Sequence, residues 1–363
     1  MRPSPEEGDA SSSVPEGGIE VIDSFGAAAD EAGPSHPLVS VVVATRDRAA
    51  FLPDLVEALA DQTMGTSRFE VVVVDDGSTD DTWSALKALA QSSALRLRGL
   101  RLDHSIGQGP ARNIGVRASR SEIVAFTDDD CIPEAPWLSA LTGPFLGGEC
   151  APHVVVQGRT EAWPEDDAAG AWARTVWVLR PTWLFETCNV AYRRCDVEHA
   201  GGFPGRDEAP SGPTGKLIGE DAILGWRVME QGAQLRFEPR ALVHHRRLPA
   251  TFPEWLQEQA GRGAFPGLVR RSDVARRALW HRVFLAPRTA AFDLSLASLC
   301  LAVATRRPRW LLGVVPWIWL ALPEAADRGG RHPIIRLVQL ALGDYVGATA
   351  LARASWRERR VVL

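Results

Sequence analysis

The chain reads as an α/β protein: a Rossmann-like, mostly parallel sheet flanked by helices, followed by a helical C-terminal region. Three observations predict this. Strand-like and helix-like segments alternate four times within about 95 residues after residue 37, the pattern of a parallel sheet with right-handed crossovers. The first two strand segments are continuous β-branched runs, as expected of strands buried on both faces. Beyond residue 280 the sequence changes to longer apolar stretches with helical spacing.

MRPSPEEGDASSSVPEGG opens the chain with early acids and no apolar core, so it is no signal peptide. Its Pro, Gly, Ser and Glu content marks residues 1–36 as a disordered leader. LVSVVVAT (38–45) is the first buried strand, AAFLPDLVEALADQ (49–62) a helix and FEVVVVDD (69–76) the second strand. TDDTWSALKALAQ (79–91) reads as a helix capped by Ser78 or Thr79, with acids in its first turn. LRGLRL (97–102) is a weaker strand, and GPARNIGVRAS (109–119) a helix with Pro110 at its first position. EIVAFTDDD (122–130) is a strand running into a loop. Parallel sheets of this kind bind ligands outside the carboxyl ends of their strands. VDDGS (74–78) and TDDD (127–130) both fall at that edge.

After residue 150 the pattern changes. VVVQGRTEA (154–162) is a further strand, followed by a stretch holding Trp163, Trp172, Trp177 and Trp183, and then ETCNVAYRR (186–194). GRDEAPSGPTGKLIG (205–219) reads as a mobile loop, GEDAILGWRVMEQG (219–232) as a helix opening on two acids, and LRFEPRALVHH (235–245) closes this half. The expected division is a leader (1–36), a catalytic domain (37–250, its halves meeting near residue 150) and a helical region (251–363). Within the last, AFDLSLASLCLAVA (291–304) and WLLGVVPWIWLAL (310–322) flank TRRPR, and PIIRLVQLALGDYVGATALARAS (333–355) has helical spacing. Neither short run reaches the ~20 apolar residues of a clean membrane span. Two readings stay open: a membrane hairpin or interface-lying pair, and an accessory domain packed on the enzyme.

The length, 363 residues with 45% hydrophobic and 23% charged, suits one large domain or two ordinary ones. A net charge of −5 argues neither for nor against nucleic acid, and no nucleic-acid partner is assigned. Its distribution says more: from Arg236 onward there are 21 Arg against 9 acids. A basic tail beside apolar segments favours an anionic membrane surface, on the cytoplasmic face. Five scattered cysteines with no CxxC pair and no zinc spacing read as reduced thiols of the cytoplasm.

Carboxylates stand at several loop edges: Asp75 or Asp76, Asp128, Asp130, Glu220 and Asp221. If they converge, their repulsion needs a cation, and oxygen ligands suit Mg²⁺ or Mn²⁺, with sites left open for substrate phosphates. In extended backbone Asp128 and Asp130 face one way and Asp129 the other. The turn HSIGQGPARN (104–113), with Gly107, offers N–H groups and a helix dipole to an anion, and Arg112 adds charge. Together these suggest a nucleoside diphosphate. Taken singly, each is as well explained as a turn, a solvated loop, a helix start or a strand end.

Order and spacing decide between these. SVVVATRDR, QT, VVVVDDGSTDDT, GPARNIGV, FTDDDC, TCNVAYRR, GGF, GED and VHH follow one another, over residues 38–245, in the order that resembles family 2 glycosyltransferases of the GT-A fold. The resemblance implies an inverting transfer of a single sugar, of hexosyltransferase type, from a nucleoside-diphosphate sugar to a glycan, lipid-linked or small-molecule acceptor. It implies metal and donor-diphosphate binding by Asp128 and Asp130, with Asp129 and Gly107 beside the donor. His244 rather than His245 completes the metal site. Asp76, with Asp75 second, contacts the base; Ala44 and Thr45 line its pocket and Arg48 helps. Asp221 is the general base and Glu220 positions the helix start or acceptor. Arg112 stabilises the departing diphosphate, and Asn189 and Trp183 face the acceptor. RDR departs from the family's usual residues after the first strand, and the QxxRW of processive synthases is missing, WLQEQAGRGAF (255–265) lying in its place. The alternatives are a non-catalytic nucleotide-sugar or glycan-binding module and a sugar-nucleotide nucleotidyltransferase. The latter expects a glycine-rich loop that VVVATRDRAAFLP lacks.

Overall fold

A computed structural model of the chain describes residues 19–24, 36–147, 153–170, 172–212, 217–327 and 333–363. Its frame is a nine-stranded sheet ordered β1-β4-β3-β2-β5-β8-β7-β9-β6. The strands are β1 (Glu20–Asp23), β2 (Val39–Thr45), β3 (Phe69–Asp75), β4 (Leu97–Arg101), β5 (Ile123–Phe126), β6 (Cys131–Pro133), β7 (Val154–Ala162), β8 (Val190–Arg193) and β9 (Gln234–His245). β4, β3, β2 and β5 run parallel, joined by crossover helices α1 (Leu52–Ala60), α2 (Thr82–Ser92) and α3 (Gln108–Ala118). The fold class is therefore the mixed α/β, mostly parallel arrangement that the strand runs predict.

Because side chains alternate along a strand, β2 and β3 supply two cores. Val39, Val41, Val43, Val71 and Val73 pack beneath α1, α2 and α4 (Trp137–Leu146). Val42, Val124, Phe126 and Tyr192 face α6 (Glu220–Glu230) and the elements beyond it. α5 (Arg194–His199) closes β8.

The site depends on one strand register. β6, only three residues long, pairs antiparallel with the end of β9 and sets Cys131 opposite His245. The three consecutive aspartates lie in the turn between β5 and β6, so this pairing carries His245 to them.

Several elements differ from the sequence expectation. Residues 20–23, assigned to a leader, form β1, antiparallel to β4; Ser24 Oγ bonds backbone on Leu95 and Leu97. The adjacent β-branched pair Val21 and Ile22, between two acids, is too short a run to signal a strand. Residues 1–18 and 25–35 of the leader lie outside the described residues. α2 starts at Thr82, with no acid in its first turn. Asp80, not Ser78 or Thr79, meets Thr82 N at 2.9 Å. Ser78 instead accepts from Asp47 N at 2.9 Å, tying the β2 and β3 loops together. α3 begins two residues before Pro110. Of the expected mobile loop 205–219, residues 213–216 lie outside the described residues.

The C-terminal region comprises α7 (Phe252–Gln259), α8 (Phe265–Val269), α9 (Asp273–Ala278), α10 (Pro287–Thr305), α11 (Val315–Asp327) and α12 (Pro333–Glu358). α7 opens on a capping box between Thr251 and Glu254. Residues 308–314 are a 3₁₀ segment, so the apolar run 310–322 is broken into two elements. Leu268, Leu351 and Val362 join the core behind α6, which seats this region on the central sheet.

Candidate active site

A cleft of about 600 Å³ opens at the carboxyl ends of β2, β3 and β5. Ala44, Thr45 and Arg48 form one wall, and Asp76 and Gly107 another. Asp76 is buried, and both of its oxygens are engaged: Oδ1 accepts from Ile106 N (2.7 Å), Oδ2 from Ser105 Oγ (2.7 Å) and Gly107 N (3.0 Å). It thereby fixes the turn before α3. Gly77, at φ +68°, lets that turn approach, since a Cβ there would stand 2.7 Å from the backbone of His104 and Ser105. Asp75 points away from the cleft: fully buried, it accepts from Ser78 N at 2.9 Å and faces Arg101 at 3.8 Å. Burial pushes its carboxyl above the usual range.

The three aspartates diverge. Asp128 is bonded to Arg112 Nη2 at 2.7 Å. Asp129 accepts from Thr45 Oγ1 at 2.7 Å and lies 4.0 Å from Arg48 Nε. Asp130 faces His245 Nε2 at 3.4 Å, and its burial raises its carboxyl pKa. Burial first, and the adjacent Asp130 second, push Asp129 up to about 7.

The opening of α6 brings the second acidic group. Glu220 lines the cleft and meets Arg112 Nη1 at 3.3 Å. Asp221 Oδ1 lies 3.5 Å from the same nitrogen, and its Oδ2 accepts from both Thr187 N (3.1 Å) and Thr187 Oγ1 (3.0 Å). Desolvation raises Asp221, opposed by Arg112; desolvation and then Asp221 push Glu220 up to about 7. Arg112 is thus buried among three carboxylates while still lining the cleft beside Gly107 and Asp128. The buried guanidinium is needed where acids crowd.

Three expected residues lie elsewhere. His244 turns to the opposite side of β9, with Nε2 3.2 Å from Glu134 and its ring edge-on to Trp163. Strand alternation makes this the necessary consequence of His245 facing Asp130. Asn189 is consumed by packing: Nδ2 donates to Arg159 O and Ala241 O, and Oδ1 accepts from Trp137 Nε1. Trp183 stacks on Trp226 at 5.6 Å and stands edge-on to Phe265. Neither offers an acceptor surface in the cleft. Thr187, within TCNVAYRR, is a further residue of the site; nothing in its identity signals that it holds Asp221.

Asp130, His245 and Cys131 offer ligand atoms within 4.8 Å of one another. Burial keeps the Cys131 thiol well above its ordinary pKa, hence protonated and a poor ligand. Carboxylate oxygens with one imidazole suit a hard or borderline divalent ion such as Mn²⁺ or Mg²⁺. The donor set fits.

The model of the family "Glycosyl transferase family 2" matches residues 40–197. The pre-mycofactocin glycosyltransferase of Mycobacterium tuberculosis is 31% identical over 351 residues, covering 91% of this chain and 70% of that protein. Glycosyltransferase AglE of Haloferax volcanii is 28% identical, over 61% of this chain and 71% of its own. Among solved structures, the mannosyltransferase PcManGT of Pyrobaculum calidifontis, in complex with GDP-Man and Mn²⁺, superposes with a TM-score of 0.54 at 21% identity, covering 90% of each chain. At that identity the likeness establishes the fold.

Proposed function

The chain belongs to glycosyl transferase family 2 and is a glycosyltransferase, and on that premise we propose that it moves a single sugar, with inversion, from a nucleoside-diphosphate sugar to an acceptor hydroxyl. The observation that carries this reading is the meeting of Asp128 and Asp221 on one buried arginine, Arg112. Residues 93 positions apart in sequence are thereby brought to one buried guanidinium at the edge of the cleft.

Asp130 and His245, with Asp128 from the same turn, would hold the divalent ion. When bound, that ion supplies Lewis-acid charge for the leaving diphosphate. Ala44, Thr45 and Arg48 flank the nucleoside, while Asp76 shapes the Gly107 turn against the donor. Asp221 acts as general base. Thr187 fixes its Oδ2, so the carboxylate keeps one orientation while it takes the acceptor proton. Raised proton affinity from desolvation makes it a better base than an exposed aspartate. Glu220 and Arg112 set its charge environment. The acceptor is a glycan, lipid-linked or small-molecule alcohol, met at the cytoplasmic face of an anionic membrane.

Asp221→Asn tests the assignment. The expected loss in kcat is about 10²–10⁴-fold, with donor affinity, measured by calorimetry, within twofold of the parent. A variant that keeps most of its turnover removes Asp221 from the mechanism.

A further inference from the structure

Two C-terminal helices, Pro287–Thr305 and Pro333–Glu358, are long and apolar enough to cross a membrane, each with a mean hydropathy of 1.3. Their charged residues argue against crossing. Asp344, buried in the middle of α12, accepts from Arg262 Nη1 (3.1 Å), Arg288 Nε (2.9 Å) and Trp317 Nε1 (2.9 Å). That one carboxylate ties α12 to α10, to α11 and to the segment following α7. Arg336, also buried in α12, lies 3.3 Å from the centre of the Trp172 ring. Gly343 lets α12 press on α7, since a Cβ there would fall 2.2 Å from the Trp255 ring. To span a bilayer these helices must abandon that docking and carry the charges into hydrocarbon.

The outward faces are different. Val303 (79% exposed), Leu312 (72%) and Trp319 (76%) lie on the α10–α11 hairpin, and Ile334 and Val338 on the outer side of α12. The hairpin turn holds Arg306, Arg307 and Arg309, all exposed, with Arg309 over the Trp310 ring at 5.4 Å. From residue 294 to residue 323 the sequence contains these three arginines and no acid. An apolar face with tryptophan beside clustered arginine is matched by the boundary between anionic headgroups and acyl chains.

We propose that α10, α11 and the outer face of α12 lie in the plane of an anionic phospholipid surface without crossing it, with Arg306, Arg307 and Arg309 on lipid phosphates. This deepens the membrane contact proposed above by naming the anchor and its mode, and it rests on that reading. The cleft and this face belong to one docked unit, so the anchor holds the active site at a fixed height over the surface.

The test is flotation of the full chain with vesicles of phosphatidylcholine alone or with one quarter phosphatidylglycerol. Binding to the anionic vesicles is expected, and so is its release by alkaline carbonate. R306Q/R307Q/R309Q should weaken partitioning by roughly 10²-fold, and L312S/W319S should lower it on both vesicles. All these positions are exposed, and donor hydrolysis in solution should be unchanged in both variants. Failure to float, or resistance to carbonate extraction, overturns the proposal. So does a dimer by light scattering that L312S/W319S converts to monomer without lipid dependence, because a second copy then covers the face. Absence of hydrolysis in the parent chain would instead count against the glycosyltransfer reading.

Discussion

Asp129 holds its proton to about pH 7 because it is buried beside Asp130, and Glu220 does so because it is buried beside Asp221. Unfolded, such groups titrate near pH 4. Between about pH 4 and 7 the folded chain therefore binds more protons than the unfolded one, and stability falls as pH rises through that window. The ligand-free chain should thus melt at a higher temperature at pH 6 than at pH 8. Asp129→Asn should flatten that difference, and a melting temperature insensitive to pH in both proteins would contradict the assignment. The histidines give a sharper contrast. His245 faces Asp130 and His244 does not, so His245→Ala should raise the Mn²⁺ concentration for half-maximal activity by roughly 10–100-fold, the scale of lost metal-site contacts. His244→Ala should change it less than twofold; equal effects would mean that the metal lies elsewhere.

Elements set which of these residues could be read in advance. Among the four parallel strands β2 and β3 were the most legible because each is a long β-branched run, and the acids were legible because loops at the carboxyl ends carry function. The choice of histidine was not legible. It depends on the pairing of β6 with β9, and a one-residue slip reverses every side chain. Asn189 and Trp183 misled for a related reason: polar and aromatic residues in a motif serve packing as readily as binding. β1 was hidden because its partner strand, not its own composition, makes it a strand. In the helical region the decisive contact is Asp344 with Arg262 and Arg288. Asp344→Ala leaves two guanidiniums short of their shared partner and should cost about 3–5 kcal/mol, the range for breaking a buried ion pair. Chemical denaturation checks this, and a change below 1 kcal/mol would show that the helices dock by apolar packing alone.

At the scale of the whole molecule the acids present a cost that the fold accepts. Asp128, Asp129 and Asp130 come from the β5–β6 turn, Glu220 and Asp221 from α6, and His245 from the end of β9. Arg112 is the cation bonded to both acidic groups, yet it leaves Asp129 and Asp130 raised. A divalent ion held by Asp130 and His245 would relieve repulsion that Arg112 does not, and would supply positive charge for a pyrophosphate in a cleft lined by acids. Metal and donor should therefore stabilise the chain together far more than either does alone. At a hundredfold excess over its dissociation constant a ligand contributes about 2.7 kcal/mol. For a chain of this size that corresponds to a melting shift of roughly 3–4 °C. Screening nucleoside-diphosphate sugars with and without Mn²⁺ reads both the metal requirement and the preferred donor. The expected result is a shift confined to one or few donors and abolished by chelator. A donor that stabilises equally in chelator would separate pyrophosphate binding from the aspartates, and the cleft would then need a different cation.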